Sequence, residues 1–139
     1  MSEANTRLQA FLERAPYVRY LGMRAELAGD EMTAILPFAD HLVGNPTIPA
    51  VHGGVLGAFM EMTALAQLSV IQQWKRAPKT IDLTVEYMRP ARAQATFARA
   101  EVRRVGRRVA NVHVVAWQDA RAAPVAALRC HFLLAPEEA

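Results

Sequence analysis

The residues best suited to chemistry in this chain are His52-Gly53-Gly54 and Glu61, which stands nine positions after the histidine. Glycine has no Cβ, so its backbone N–H can approach a ligand closely, and a helix that begins there directs its positive end to the same place. Such N–H groups suit a developing oxyanion. The segment from Val55 to Ile71 is apolar except at Glu61 and Gln67, which predicts a helix buried around its whole circumference. A carboxylate in that setting is expected to be paired or catalytic, because burying it alone is costly.

Each of these residues also has a purely structural interpretation. Glu61 could form a buried ion pair with an arginine such as Arg89. The two glycines could serve only tight packing where a loop meets a helix, and His52 could be an ordinary core histidine. These alternatives remain open at the level of the residues alone.

Composition limits the classes of protein to which the chain can belong. With 139 residues, 53% hydrophobic and 21% charged, we expect one domain spanning 1–139. We expect a cytoplasmic protein, since we find no apolar run of membrane-spanning length and no basic-then-apolar order of a secretory signal at the N-terminus. The net charge of +3 is too small to demand nucleic acid. The single cysteine, Cys130, rules out an internal disulfide, and His41, His113 and His131 lack ligand spacing with His52, so no metal or resident cofactor is expected.

The pattern of the remaining chain predicts the elements that position these residues. Leu8, Phe11 and Leu12 mark a short helix capped at Asn5 or Thr6 and ended or redirected by Pro16. A hairpin and four later strands follow from period-two alternation and turn residues, with a stop at Arg76-Ala77-Pro78 after the long helix. The predicted strands are Tyr20 to Leu27, Met32 to Phe38, Ile81 to Tyr87, Thr96 to Arg103, Val109 to Gln118 and Val125 to Leu134. The proline-rich stretch from Asp40 to Val51 is predicted to be a stiff loop without regular structure.

The order of two strands, one long helix and four strands predicts an α+β fold in which a curled antiparallel β-sheet wraps around one central helix. One helix covers only one face of such a sheet. The other face and the sheet edges then need another subunit, so we expect at least a homodimer.

Several short motifs now resemble a known family, the hotdog-fold acyl-CoA thioesterases of the PaaI-like (phenylacetate-degradation) type. The resemblance covers most of the chain and depends on both the order and the spacing of its motifs. They are Leu21-Gly22-Met23, Asn45-Pro46 through Val51-His52-Gly53-Gly54-Val55, Glu61, and Asp82 through Tyr87-Met88-Arg89-Pro90-Ala91.

The resemblance implies a role for each matching position. The Gly53 N–H would polarise the thioester carbonyl, and Glu61 of a partner subunit would act as general base or as a nucleophile that forms a transient anhydride. His52 would orient the loop or contact the acyl carbonyl, Thr80 would hold the attacking water, and Asn45 would supply a side-chain amide.

The resemblance also implies an acyl-CoA substrate, with CoA contacts at Gly54 and Arg89, and a homodimer or a dimer-of-dimers tetramer with shared active sites. Arg107 and Arg108, near the Gly106 turn, could bind the phosphates of CoA. The acyl group is left open between aromatic and medium-chain aliphatic. The alternatives are a hotdog hydratase or dehydratase and an acyl-CoA-binding sensor without turnover.

Overall fold

The chain folds as a strongly curved antiparallel sheet around one long helix, as the sequence predicts. In the computed structural model, which describes residues 2–136, six strands pair in the order β1-β2-β6-β7-β8-β5. The helices are α1 (Glu3–Arg14), α2 (Pro16–Leu21) and α3 (Gly53–Ile71). The strands are β1 (Arg24–Ala28), β2 (Glu31–Leu36), β3 (Val43–Asn45), β4 (Ala50–Val51), β5 (Trp74–Tyr87), β6 (Thr96–Val105), β7 (Val109–Trp117) and β8 (Ala126–Pro136). Residue 1 and residues 137–139 of the predicted domain lie outside the described part.

The core lies between α3 and the concave face of the sheet. Phe59, Met60 and Leu68 of α3 are fully buried there, as are Leu128 and Phe132 of β8. One prediction for α3 is wrong, because the helix is not buried all round. A stripe through Gly54, Glu61 and Leu65 is exposed or half-buried.

The helix α3 also corrects the expectation that no segment has the length of a membrane span. Its 19 residues meet the length and composition of a spanning helix. A core helix of a globular domain passes the same test, and here Leu56, Phe59 and Ala64 are buried against the sheet.

Local predictions near the N-terminus need small corrections. Ser2, and not Asn5 or Thr6, caps α1 by accepting a hydrogen bond from the Asn5 N–H at 3.1 Å. Pro16 does redirect the chain, because it begins α2 and its fixed φ suits a first helical turn. Tyr20 therefore lies in a helix, and the first strand starts at Arg24.

The segment from Asp40 to Val51 is more regular than predicted. A single 3₁₀ turn covers Asp40–Leu42, and the short strands β3 and β4 pair with each other. The Leu42 carbonyl accepts a hydrogen bond from the His52 N–H at 2.8 Å, so this small sheet holds the start of α3 in place.

The strand β5 departs most from the prediction. It begins at Trp74 and continues through the expected stop at Pro78 with irregular pairing to β8. Its register shifts again between Thr80 and Asp82, where β5 gains one residue relative to β8. A bulge of this kind reverses the alternation of side chains. Thr80 therefore shares the helix-facing side with Leu83, although simple alternation puts them on opposite sides.

Candidate active site

The start of α3 is organised by its own histidine. His52 is the N-cap residue, and its Nδ1 accepts a hydrogen bond from the Gly54 N–H at 2.9 Å. A neutral ring that accepts at Nδ1 carries its proton on Nε2, so His52 has a donor available on its other side. A Cβ at Gly54 would lie 3.0 Å from Nδ1, which explains why the cap needs glycine there.

The Gly53 N–H is the amide that this arrangement leaves available. Among residues 2–136 it has no hydrogen-bond acceptor, as expected for the first residue of a helix. Its neighbour Gly54 was predicted to contact the substrate, but the Gly54 N–H is occupied by His52. Of the two glycine amides, that of Gly53 therefore stays without an acceptor at the positive end of the helix.

Two residues that support this turn were not among the predicted site residues. The Tyr87 hydroxyl donates a hydrogen bond to the Gly53 carbonyl at 2.6 Å. Gly44 passes so close to His52 that a Cβ there would lie 2.9 Å from the His52 Cα. In the sequence Tyr87 belongs to a family motif with no predicted contact to Gly53, and nothing there separates the packing role of Gly44 from that of an ordinary turn glycine.

Glu61 and Thr80 lie in direct contact. The Thr80 hydroxyl donates a hydrogen bond to Glu61 Oε2 at 2.5 Å, across from the middle of α3 to β5. Glu61 is half-buried and Thr80 is exposed, so water can reach the carboxylate from the open stripe of α3. The structure thus brings together two of the predicted residues through the bulge in β5.

The structural alternative for Glu61 is wrong in the part of the chain that the structure describes. Arg89 donates a hydrogen bond from Nη1 to the Pro124 carbonyl at 2.6 Å, and Glu61 forms no salt bridge there. A carboxylate with a hydroxyl as its partner and no cation keeps lone pairs free for water or a substrate carbon.

Arg89 lies instead beside Gly53. Both line a cleft of about 340 Å³ together with Leu56, Tyr87 and the chain segments on either side. Because the first residue of α3 and Arg89 both line it, the cleft suits a polar, anionic ligand arm.

Three predicted residues lie apart from this constellation. The Asn45 side chain accepts a hydrogen bond from the Thr47 N–H at 3.0 Å, and no hydrogen bond within residues 2–136 joins it to another predicted site residue. Arg107 and Arg108 line a separate recess of about 620 Å³ with Arg104, Asn111 and His131. His131 lies next to the buried Phe132 on β8 and so points to the opposite face of the sheet.

Gly53 and Glu61 cannot meet within one subunit. They are eight residues apart on α3, which corresponds to about 12 Å along the helix axis. No three His, Cys, Asp or Glu side chains among the described residues gather as metal ligands would. The absence of a metal or cofactor stays a prediction.

Comparison with known proteins gives one family. Residues 49–125 match the model of the thioesterase superfamily, a range that includes His52, Gly53, Glu61 and Thr80. The chain is 30% identical over 122 residues to the medium/long-chain acyl-CoA thioesterase YigI of Escherichia coli, which covers 76% of this chain and 77% of that protein.

Solved structures share the fold. A Chromobacterium violaceum protein is 38% identical, with 97% of each chain covered and a TM-score of 0.76. The Escherichia coli PaaI protein from the phenylacetic acid degradation operon has a TM-score of 0.81 at 17% identity, with 95% of this chain and 93% of that one covered. That likeness concerns the fold alone, and it confirms the predicted hotdog architecture.

Proposed function

The chain belongs to the thioesterase superfamily and is a thioester hydrolase, and from that premise we propose that it hydrolyses acyl-CoA to a free acid and CoA with Glu61 and the Gly53 N–H as catalytic groups. The hydrogen bond from Thr80 to Glu61 is the observation on which the proposal depends. It positions a half-buried carboxylate through a hydroxyl and not through a cation. The relative YigI, named for acyl-CoA, supports the choice of thioester.

The proposed reaction begins at the thioester carbonyl. Its oxygen lies against the Gly53 N–H, and the donor on His52 Nε2 orients the same oxygen. As the carbonyl carbon becomes tetrahedral, negative charge collects on that oxygen, and a fixed N–H donor lowers the barrier by about 3 kcal/mol. The tetrahedral intermediate then collapses, the carbon–sulfur bond breaks, and CoA leaves as the thiolate.

Glu61 can bring about the attack in two ways. As a general base it takes a proton from a water molecule held beside the Thr80 hydroxyl, and that water adds to the carbon. As a nucleophile its own oxygen adds, CoA leaves, and water then hydrolyses the mixed anhydride. Label from heavy-oxygen water found in Glu61 after a single turnover would establish the anhydride route, because a general base takes up a proton and no oxygen.

We further propose that each active site is shared between two subunits. Gly53 and Glu61 of one chain are separated by about 12 Å of helix, too far to act on one carbonyl. The strand β5 carries the exposed apolar side chains Ile81, Leu83 and Tyr87, and within residues 2–136 it is an edge strand that pairs with β8 alone. A second copy paired along β5 would cover them and bring its α3 alongside the first.

The CoA portion is proposed to pass through the cleft beside Gly53, where the Arg89 guanidinium favours a polar arm. Arg107 and Arg108 are proposed as further phosphate contacts in the assembled protein, since their recess is basic. The role of Asn45, the dimer or tetramer state and the cytoplasmic location stay predictions.

The experiment that tests this function is thiol release from a panel of aryl- and alkyl-CoA esters by wild type and by Glu61→Ala, with melting curves for both. We expect release from wild type, loss of at least about a hundredfold in the variant, and a melting temperature that is little changed. Tight binding of acyl-CoA without thiol release in wild type would favour the sensor, and hydration of an enoyl ester would favour the hydratase.

Site sharing has its own test by complementation. Glu61→Ala and Gly53→Pro should each keep at most about a hundredth of wild-type activity alone. In a mixed dimer one of the two sites combines an intact Gly53 with an intact Glu61, so random exchange of subunits should restore about a quarter of wild-type activity. No gain on mixing and refolding together would contradict sharing.

A further inference from the structure

A second groove lies on the same side of the sheet as Glu61 and takes no part in the steps described above. It measures about 470 Å³ and lies between α1, the C-terminal half of α3 and the start of β5. Its apolar walls are formed chiefly by Ala10, Phe11, Leu65, Trp74, Ala77 and Pro78. Pockets of this size hold small organic ligands.

The groove begins one helical turn beyond Glu61. Leu65 follows Glu61 by one turn on the same face of α3, and Ser69 and Gln72 continue that stripe into the groove. Pro78 precedes Thr80 by two residues on β5. From Glu61 to Gln72 the stripe extends about 16 Å along the helix, so the groove leads away from the carboxylate in one direction.

Three polar side chains along the groove, those of Arg7, Ser69 and Trp74, are hydrogen-bonded to backbone carbonyls, while Arg14 and Gln72 add polar atoms to its lining. The Arg7 side chain donates to the Ser69 and Val70 carbonyls at 2.9 and 2.7 Å. The Trp74 Nε1–H donates to the Leu68 carbonyl at 2.8 Å, and the Ser69 hydroxyl donates to the Ala66 carbonyl at 2.6 Å. These bonds close the C-terminal end of α3 and leave an apolar surface for hydrocarbon.

We propose that this groove holds an aliphatic acyl chain of medium length, with the thioester carbonyl beside Glu61. The inference depends on the proposed function, because the groove is assigned to an acyl chain only if Glu61 at its end acts on the thioester. A chain that follows the groove gains contact at every methylene, about 0.8 kcal/mol each, whereas a single aromatic ring would fill only the part next to Leu65. The CoA portion then extends in the opposite direction, toward the polar cleft at Gly53 of the partner subunit.

Filling the groove provides the test. Ala10→Phe places a ring in the groove from α1, outside β5 and the catalytic residues, and Ala120→Phe makes the same change in an exposed loop that lines neither cleft. The quantity measured is the ratio of kcat/KM for decanoyl-CoA to kcat/KM for butyryl-CoA. We expect Ala10→Phe to lower that ratio by at least about tenfold, since a few methylenes lose their contacts, and Ala120→Phe to leave it unchanged.

A binding measurement keeps the groove separate from the chemistry. In Trp117→Phe the remaining tryptophan is Trp74, which lines the groove. Titration with S-decyl-CoA, a thioether that cannot be hydrolysed, should shift the emission of Trp74, and S-ethyl-CoA should not.

The outcomes distinguish the two proposals. An unchanged ratio in Ala10→Phe, or S-decyl-CoA binding without effect on Trp74, overturns the groove assignment while thiol release by wild type still supports the thioesterase. If wild type releases no thiol from any ester, the proposed function fails. The fluorescence titration then still decides whether the groove takes an alkyl chain.

Discussion

The Tyr87 hydroxyl donates a hydrogen bond to the carbonyl oxygen of Gly53 at 2.6 Å. The same Gly53–Gly54 peptide unit is held at its N–H by His52 Nδ1. Both ends of this peptide are therefore fixed, and with them the direction of the preceding amide, the Gly53 N–H. An oxyanion donor must be in place before charge develops, so this preorganisation is what the proposed catalysis requires.

Removing the Gly53 N–H should reduce turnover without unfolding the protein. His52 has φ −58° and ψ 135°, values that a residue before proline adopts, and proline is tolerated at the first helical position. We expect Gly53→Pro to lower kcat by about 10²- to 10³-fold. Gly53→Ala is the matched control, because it adds a Cβ 3.4 Å from the Tyr87 ring but keeps the donor. An equal loss of kcat in both variants would mean that the effect comes from contact with the Tyr87 ring and not from the missing N–H.

The contact between Thr80 and Glu61 should affect kcat more than KM. Thr80→Val keeps the shape of the side chain and removes the hydroxyl that donates to the carboxylate. Loss of this positioning should lower kcat by about tenfold, and Thr80→Ser should recover most of it. Steady-state kinetics on one acyl-CoA is the measurement. A change confined to KM would mean that the hydroxyl contributes only to binding.

His52 should combine two functions that can be separated. As N-cap it satisfies the Gly54 N–H, a contact worth about 1 kcal/mol of unfolding free energy. His52→Asn keeps a capping oxygen and loses the Nε2–H donor, whereas His52→Ala loses both. We expect urea unfolding to show lower stability only in His52→Ala, and thiol release to be impaired in both. Full activity in His52→Asn would limit His52 to the cap.

The arginine recess should matter for the nucleotide end of the substrate alone. The double variant Arg107→Gln, Arg108→Gln should raise KM for acyl-CoA by about fivefold, since each exposed charge contributes modestly. The KM for the matching acyl-pantetheine ester, which lacks the nucleotide, should stay constant. Arg24→Gln, an exposed arginine on β1 outside the recess, serves as the control. An equal rise of KM with both esters would mean that the nucleotide of CoA does not bind in this recess.

The buried thiol of Cys130 makes stability depend on alkaline pH. Burial first, and then the charges of Glu61 and Asp82, raise its pKa from 9.0 to about 12. The folded protein therefore keeps this proton at a pH where the unfolded chain loses it. The contribution is complete below pH 9 and is lost as the pH rises toward 12.

Urea unfolding at pH 8 and pH 10 measures this contribution. Between them wild type should lose about 1 kcal/mol more unfolding free energy than Cys130→Ala. Each protein is compared with itself at the two pH values, so the loss of stability caused by the small cavity in Cys130→Ala cancels. The same pH dependence in both proteins would contradict the raised pKa.

Much of the fold could be predicted because it follows from local periodicity. The alternation of Ala98 and Ala100 with Arg99 and Glu101 is repeated in the burial of β6, and the apolar run after Gly53 becomes α3. The resemblance to hotdog thioesterases assigned Glu61 and Thr80 to one site. The sequence missed β3 and β4, because two or three residues of pairing leave no recognisable pattern.

The sequence by itself determined that an acid would lie on a long apolar helix two turns after a His-Gly-Gly start. Only the tertiary structure decided which hydroxyl that acid meets. The extra residue that β5 gains between Thr80 and Asp82 turns Thr80 toward Glu61, and the Thr47 N–H engages the Asn45 side chain in a local turn. The alternation of side chains can be read within one segment, whereas a bulge depends on the strand with which that segment pairs. That partner, β8, lies about fifty residues further along the chain, so no local pattern could reveal it.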